Sequence, residues 1–193
     1  MLHAAVSIAG LYLAALAAIH WWIVRRRGFG WPAIGFRAAP PEWYVIALVG
    51  LILWWAADYY LYQALGMWDR TMAFERQALM PERPSLLLAI PLFLAVGPIA
   101  ALMEETLFRG LLYQWMRHRI AAWPAILTSA AVFSLVHFHI LAPGGVIGAA
   151  MTLEIFAIGI GLAYLFEKSR SLWPGIVLHA ANNLGAMAYL AAT

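Results

Sequence analysis

Glu104, Glu105, Arg109, His137, His179 and Asn183 stand within long apolar runs of the sequence. An ionisable residue in such a run costs at least about 2.5–3.5 kcal/mol to insert into a bilayer, so each is a functional candidate whose partner must be found. A carboxylate can take a proton from water, an imidazole can share it, and an imidazole or amide N–H can donate to a developing oxyanion. Spacing sorts these groups, because residues four apart share one helix face. Glu105 is so paired with Arg109, Phe133 with His137, and His179 with Asn183. Glu105 opposite Arg109 reads as a neutralising buried ion pair. Glu104, turned about 100° away from Glu105, has no such local cation and is the candidate base. Of the remaining ionisable groups, His139 reads as interfacial, Glu154 as a second partner for Arg109, and Asp58 as a snorkelling acid near the surface.

The elements that must position these groups follow from composition. Of 193 residues, 65% are hydrophobic and 11% charged, against about 45–50% and about 25% in soluble domains. The mean hydropathy is +0.80, and apolar runs longer than about 18 residues recur, which predicts a polytopic membrane protein. Apolar runs bounded by charge or proline place spans at roughly 2–24, 43–65, 85–116, 121–139, 146–166 and 172–192. The expected fold class is therefore all-α, a transmembrane helical bundle of about six spans forming one membrane domain over residues 1–193. Loop 66–84 is long enough for a short surface helix. The third run is too long for a straight crossing, about 48 Å at helical rise against a core of roughly 30 Å. It must tilt, break or extend, with Pro91 and Pro98 as candidate kinks. Gly148, Gly159 and Gly161 in the fifth run permit close helix packing.

Loop charges give the topology. The first run has no basic residue before it and Arg25, Arg26 and Arg27 after it, the reverse of a cleavable signal peptide, and reads as a retained anchor with its N-terminus outside. Alternation then puts Arg25, Arg26, Arg27, Arg37, Arg117, Arg119, Lys168 and Arg170 inside. Only Arg70, Arg76 and Arg83 fall outside, beside Asp69, Glu75 and Glu82. The net charge of +3 is thus a topology signal and gives no reason to expect nucleic acid. Measured from the inner ends at helical rise, Glu104 lies about 20 Å deep, His137 about 21 Å, Asn183 about 15 Å and His179 about 9 Å. Three helices therefore offer polar groups at overlapping depths. The absence of cysteine excludes disulfides, thiolate metal sites and a cysteine nucleophile.

These residues carry a resemblance. Glu104-Glu105-Thr106-Leu107-Phe108-Arg109-Gly110 resembles the E-E-x-x-x-R motif of the CPBP intramembrane endopeptidases, the CAAX-processing and bacteriocin-processing family also called Abi. Phe133-Ser134-Leu135-Val136-His137 matches its F-x-x-x-H motif and His179-Ala180-Ala181-Asn182-Asn183 its H-x-x-x-N motif, so the similarity spans roughly residues 99–183. Residues 85–193 would then be the catalytic core and 1–84 spans without a recognised motif. The resemblance implies a glutamate-dependent protease in which Glu104, helped by His137, activates water. His179 and Asn183 would donate to the oxyanion, and Glu105, Arg109 and Phe133 would position the site. Serine, aspartyl and site-2 zinc signatures for cutting peptides in membranes (G-x-S, G-x-G-D, H-E-x-x-H) do not occur.

The expected function is hydrolysis of a peptide bond in a membrane-associated peptide or protein, with the lipid bilayer as the other partner. No cofactor is expected. The alternatives are a variant holding zinc through Glu104, His137 and His179, and a non-proteolytic immunity or scaffold protein of the same family. A small transporter ranks below these because no inverted repeat is visible. The expected location is the bacterial plasma (inner) membrane, as a multi-pass protein.

Overall fold

The computed structural model describes residues 2–80, 86–137 and 145–193, which are helical with no strand among them. Helix α1 (Leu2–Ile19) widens into a π-type stretch, His20–Arg26. A 3-10 turn, Trp31–Ile34, leads to α2 (Pro41–Ala64) and α3 (Trp68–Leu79). Helix α4 runs unbroken over 86–117 and is followed by α5 (Ala122–Leu135), α6 (Val146–Ser169) and α7 (Trp173–Ala192). Pro41 opens α2 and Pro174 opens α7, positions where a missing N–H costs nothing because first-turn amides have no intrahelical acceptor.

Three helices, Pro41–Ala64, Ala89–Arg117 and Val146–Ser169, are long and apolar enough to cross a membrane. Helices α1, α5 and α7 pack among them, so each of the six apolar runs expected as a span contains a helix of the bundle. Helix α3 is the short helix expected in loop 66–84. At 14 residues, α5 is about 21 Å long, short of the roughly 30 Å hydrocarbon core. The end of its expected run, with His139, lies outside the described residues. Leu11, Val45, Ile52, Leu53, Leu61 and Leu153 are exposed, whereas Glu104, Glu105, Thr106, Arg109, Ser129 and His179 are buried. Apolar outside and polar inside is the distribution expected when the solvent is hydrocarbon.

The central helix does not break at its prolines. Pro91 sits within α-helical Leu86–Leu94, and Pro98 within a π-type turn, Ala95–Ile99, whose wider loop absorbs the missing donor. A second π-type stretch, Thr106–Tyr113, contains no proline and carries Phe108 and Arg109. Side chains complete the backbone bonding around it: the Thr106 hydroxyl donates to the Leu102 carbonyl at 2.6 Å and Gln114 Nε2 to the Gly110 carbonyl at 2.7 Å.

Contacts at the bundle ends agree with the alternation of loops. Arg117 Nε lies 3.2 Å from Glu167 Oε1 and Arg170 NH1 3.5 Å from Glu167 Oε2. The Ser171 hydroxyl donates to the Arg37 carbonyl, and the Leu172 amide to the Gly35 carbonyl at 2.9 Å. Gly35 has φ +106°, and a Cβ there would lie 2.7 Å from Phe166 Cε2, so this linker docks only with glycine. The basic linkers after the first, third and fifth runs thus meet at one end, above a core of Tyr113, Ile126, Phe166, Leu172 and Ile176. Elsewhere in the bundle, Arg76 of α3 donates to the Leu190 carbonyl near the C-terminus of α7 at 2.8 Å.

Candidate active site

The site is built on Arg109, which is fully buried. Its NH1 donates to Glu105 Oε1 at 2.9 Å, its NH2 to the Gly159 carbonyl at 3.0 Å, and its guanidinium lies 4.4 Å from the Phe133 ring centroid. Nδ1 of His179 makes a 3.0 Å hydrogen bond to the same Glu105 Oε1. Glu105 therefore ties α4 to α7, and Arg109 ties α4 to α6. Phe133 on α5 packs edge-on to Phe108, His137 and His179, with centroids 5.0, 4.8 and 5.8 Å away.

Two glycines make this approach possible. A Cβ on Gly159 would sit 3.2 Å from Ala130 Cβ, and one on Gly175 would sit 3.3 Å from Glu105 Oε2. Gly161, expected to pack in the same way, faces open space. Glu154, expected as a second partner for Arg109, instead accepts a 3.1 Å hydrogen bond from the Tyr62 hydroxyl. The group α6 offers to Arg109 is the Gly159 carbonyl.

Glu104 faces the other way, into the bundle cavity. Its Oε1 accepts a 2.8 Å hydrogen bond from the Tyr12 hydroxyl. Its Oε2 has no hydrogen-bond partner among the described residues and is flanked by His179 Nε2 at 3.7 Å and His137 Nε2 at 3.8 Å. Nδ1–H of His137 donates to the Phe133 carbonyl at 2.7 Å. A carbonyl can only accept, and Glu105, already the acceptor for Arg109, is the natural acceptor for His179. In the neutral imidazoles both Nε2 atoms are then lone-pair acceptors turned toward a carboxylate oxygen. At 3.7 and 3.8 Å these three atoms are too far apart for direct hydrogen bonds. They form an all-acceptor pocket suited to a proton donor such as water.

Asn183 is placed differently from the two histidines. Its Nδ2 donates to the Val96 carbonyl, within the turn around Pro98, at 2.9 Å. Its neighbour Asn182 accepts a 3.0 Å hydrogen bond from Trp55 Nε1. Asn183 lines the same cavity of about 680 Å³ as Tyr12, Glu104, His137 and His179. Asp58, Glu75 and Glu154 line it too, so Asp58, half-buried on α2, faces the cavity and does not snorkel outward. Burial, with Asp58 nearby, pushes the Glu75 carboxyl up to about 7. Among the described residues, no group of three or more His, Cys, Asp or Glu side chains is arranged to hold a metal ion.

The residue missing from the sequence reading is Tyr12. Its run carries no motif, and Tyr12 is neither ionisable at neutral pH nor four residues from a polar partner. Tyr12 lies about 20 Å along the helix from Arg25, the same depth as Glu104, which is the signal that could have found it.

Fold and side chains together define a polytopic membrane protein with a buried carboxylate–imidazole centre on its central helix. The family model described as type II CAAX prenyl endopeptidase Rce1-like matches residues 86–185, just over half of the chain, and the protein belongs to that family. The match opens with α4 and closes two residues beyond Asn183, so it takes in every motif residue and leaves out Tyr12. Membership brings the CAAX protease-like hydrolase class, an integral membrane location and a membrane-associated substrate. No curated protein and no solved structure matches the chain.

Proposed function

We propose that the protein is a multi-pass intramembrane endopeptidase, of the bacterial plasma membrane, that hydrolyses a peptide bond with water activated by Glu104. The observation that carries this reading is Glu104 Oε2, without a hydrogen-bond partner among the described residues and flanked by two imidazole Nε2 atoms at 3.7 and 3.8 Å in the cavity. Water in that pocket gives one proton to Glu104 and leans its other toward His137 while its oxygen attacks the scissile carbonyl carbon. The resulting tetrahedral oxyanion is met by donors in a low-dielectric site, where they count for more than in water. Asn183 uses the amide hydrogen not taken by Val96, and His179, whose Nδ1–H is held by Glu105, donates from Nε2 after that atom takes up a proton from solution, which it returns when the products leave. The C–N bond then breaks and the proton on Glu104 passes to the leaving amine. Glu105, Arg109 and Phe133 hold the histidines and the base in register and take no proton.

Glu104→Ala, inserted and accumulated normally, abolishes cleavage of a membrane-anchored peptide; cleavage that persists contradicts the assignment. The mechanism uses no metal, so exhaustive treatment with 1,10-phenanthroline leaves the rate unchanged. Loss of activity restored by zinc would instead make Glu104, His137 and His179 ligands. A non-proteolytic immunity role predicts protection that survives alanine at all three of these positions.

A further inference from the structure

Glu104 meets groups from three other helices: His137 on α5, His179 on α7 and Tyr12 on α1. Among the described residues only Tyr12 donates a hydrogen bond to it, at 2.8 Å, and of these three Tyr12 alone lies outside the residues matched to the family. A glutamate carboxylate, attached through three turning side-chain bonds, presents either oxygen to a neighbour unless one is held. Tyr12 holds Oε1, so Oε2 is the oxygen left facing both imidazoles. The bond is charge-assisted and half-buried, the setting in which a hydroxyl donor fixes a carboxylate most firmly.

We propose that Tyr12 is a positioning residue for the proposed hydrolysis. By donating to Glu104 Oε1 it orients Oε2 as the base, so the site is complete only when α1 is docked against α4. Helix α1 lies along the first half of α4, against the turn that holds Pro98. The first helix is thereby a working part of the site, although the family motifs begin on α4. This inference rests on the reading of Glu104 as the base. It accounts for something that reading alone leaves open, namely which carboxylate oxygen acts and what a motif-free helix contributes.

The test compares wild type, Tyr12→Phe, Tyr12→Ala and Glu104→Gln in detergent or nanodiscs, with a quenched-fluorescent prenylated peptide ending in a CAAX sequence as the probe. Tyr12→Phe keeps the ring and removes only the hydroxyl. It is expected to lower kcat about 10- to 100-fold, the range for losing a hydrogen bond to a charged group, with KM and thermal unfolding unchanged. Adding Tyr12→Phe to Glu104→Gln should cost nothing further. A merely structural tyrosine gives the opposite pattern: Phe retains kcat, while Ala loses activity and stability together.

A second readout needs no turnover. Dicyclohexylcarbodiimide labels buried carboxyl groups, and its yield at Glu104, read by mass spectrometry of the purified protein, should rise several-fold in Tyr12→Phe because Oε1 is no longer engaged. Equal labelling in wild type and Tyr12→Phe overturns the proposal whether or not the probe is cut. If the probe is not cut by wild type but labelling rises, the hydrolysis reading fails while the Tyr12–Glu104 contact stands.

Discussion

The adjacent carboxylates Glu104 and Glu105 have opposite assignments because each finds different neighbours. Glu105 accepts from Arg109 and His179 and is 1% exposed; Glu104 accepts, among the described residues, from Tyr12 alone and opens on the cavity. That division was legible in the sequence, since a one-residue step turns a helix by about 100° and a four-residue step returns to the same face. Tyr12 was not, because its partner is 92 residues away on a helix with which it shares no spacing rule. The same reason hid the tie from Arg109 to the Gly159 carbonyl, since backbone acceptors leave no trace in residue type. At this scale, Arg109→Ala leaves Glu105 buried without its cation and should cost about 3–5 kcal/mol. Arg109→Lys keeps the charge but loses the two-armed reach to Glu105 and Gly159, and should recover only part of that. Thermal unfolding in detergent compares the two, with the ordering Ala below Lys below wild type.

The helices were legible to within a few residues except where backbone geometry departs from the α-helix. The length of the third run and its prolines suggested a kink, and the chain answers with two π-type stretches, one of them without proline. Residue periodicity does not report a widened turn, which is stabilised by particular side-chain bonds such as those of Thr106 and Gln114. Glycine content suggested close packing, and the structure separates the glycines that need it from those that do not. A Cβ at Gly110 would come within 2.9 Å of the Ile34 carbonyl, an atom of the backbone that cannot turn aside, whereas Gly161 has nothing within 4 Å. Gly110→Ala should therefore lower stability by about 1–3 kcal/mol. Gly161→Ala should be neutral or slightly stabilising, and equal unfolding temperatures for the two variants would contradict this packing.

Helix α3 contributes a pH dependence. Glu75 titrates near 7 in the folded protein, above its ordinary range of about 4.3, so folding favours its protonated form. The stability it contributes is complete below the ordinary range and is lost as pH rises through about 7. Glu75→Gln should thus unfold at a higher temperature than wild type at pH 8. The difference should disappear toward pH 4, and a constant offset across that range would count against it.

For the whole molecule, composition alone fixed the class of solvent, and loop charge fixed which ends of the helices belong together. Arg37, Arg117 and Arg170 meet at one end of the bundle through Ser171 and Glu167, as the alternation required. Neighbour order was beyond the sequence, because an all-apolar helix surface does not state which face meets which helix. It is neighbour order that brings α1 and α2 to the site, through Tyr12 and Trp55. Reporter fusions test the arrangement: an enzyme active only in the cytoplasm should work when fused in loop 118–121 and fail in loop 66–84, and the reverse result would invert the topology. The central claim is that Glu104 hydrolyses a membrane peptide, and comparing membrane-associated peptides from cells producing wild type or Glu104→Gln at equal abundance tests it most directly. At least one peptide should remain intact only with the variant and be cut at a single bond with wild type; identical peptide populations from the two strains would contradict it.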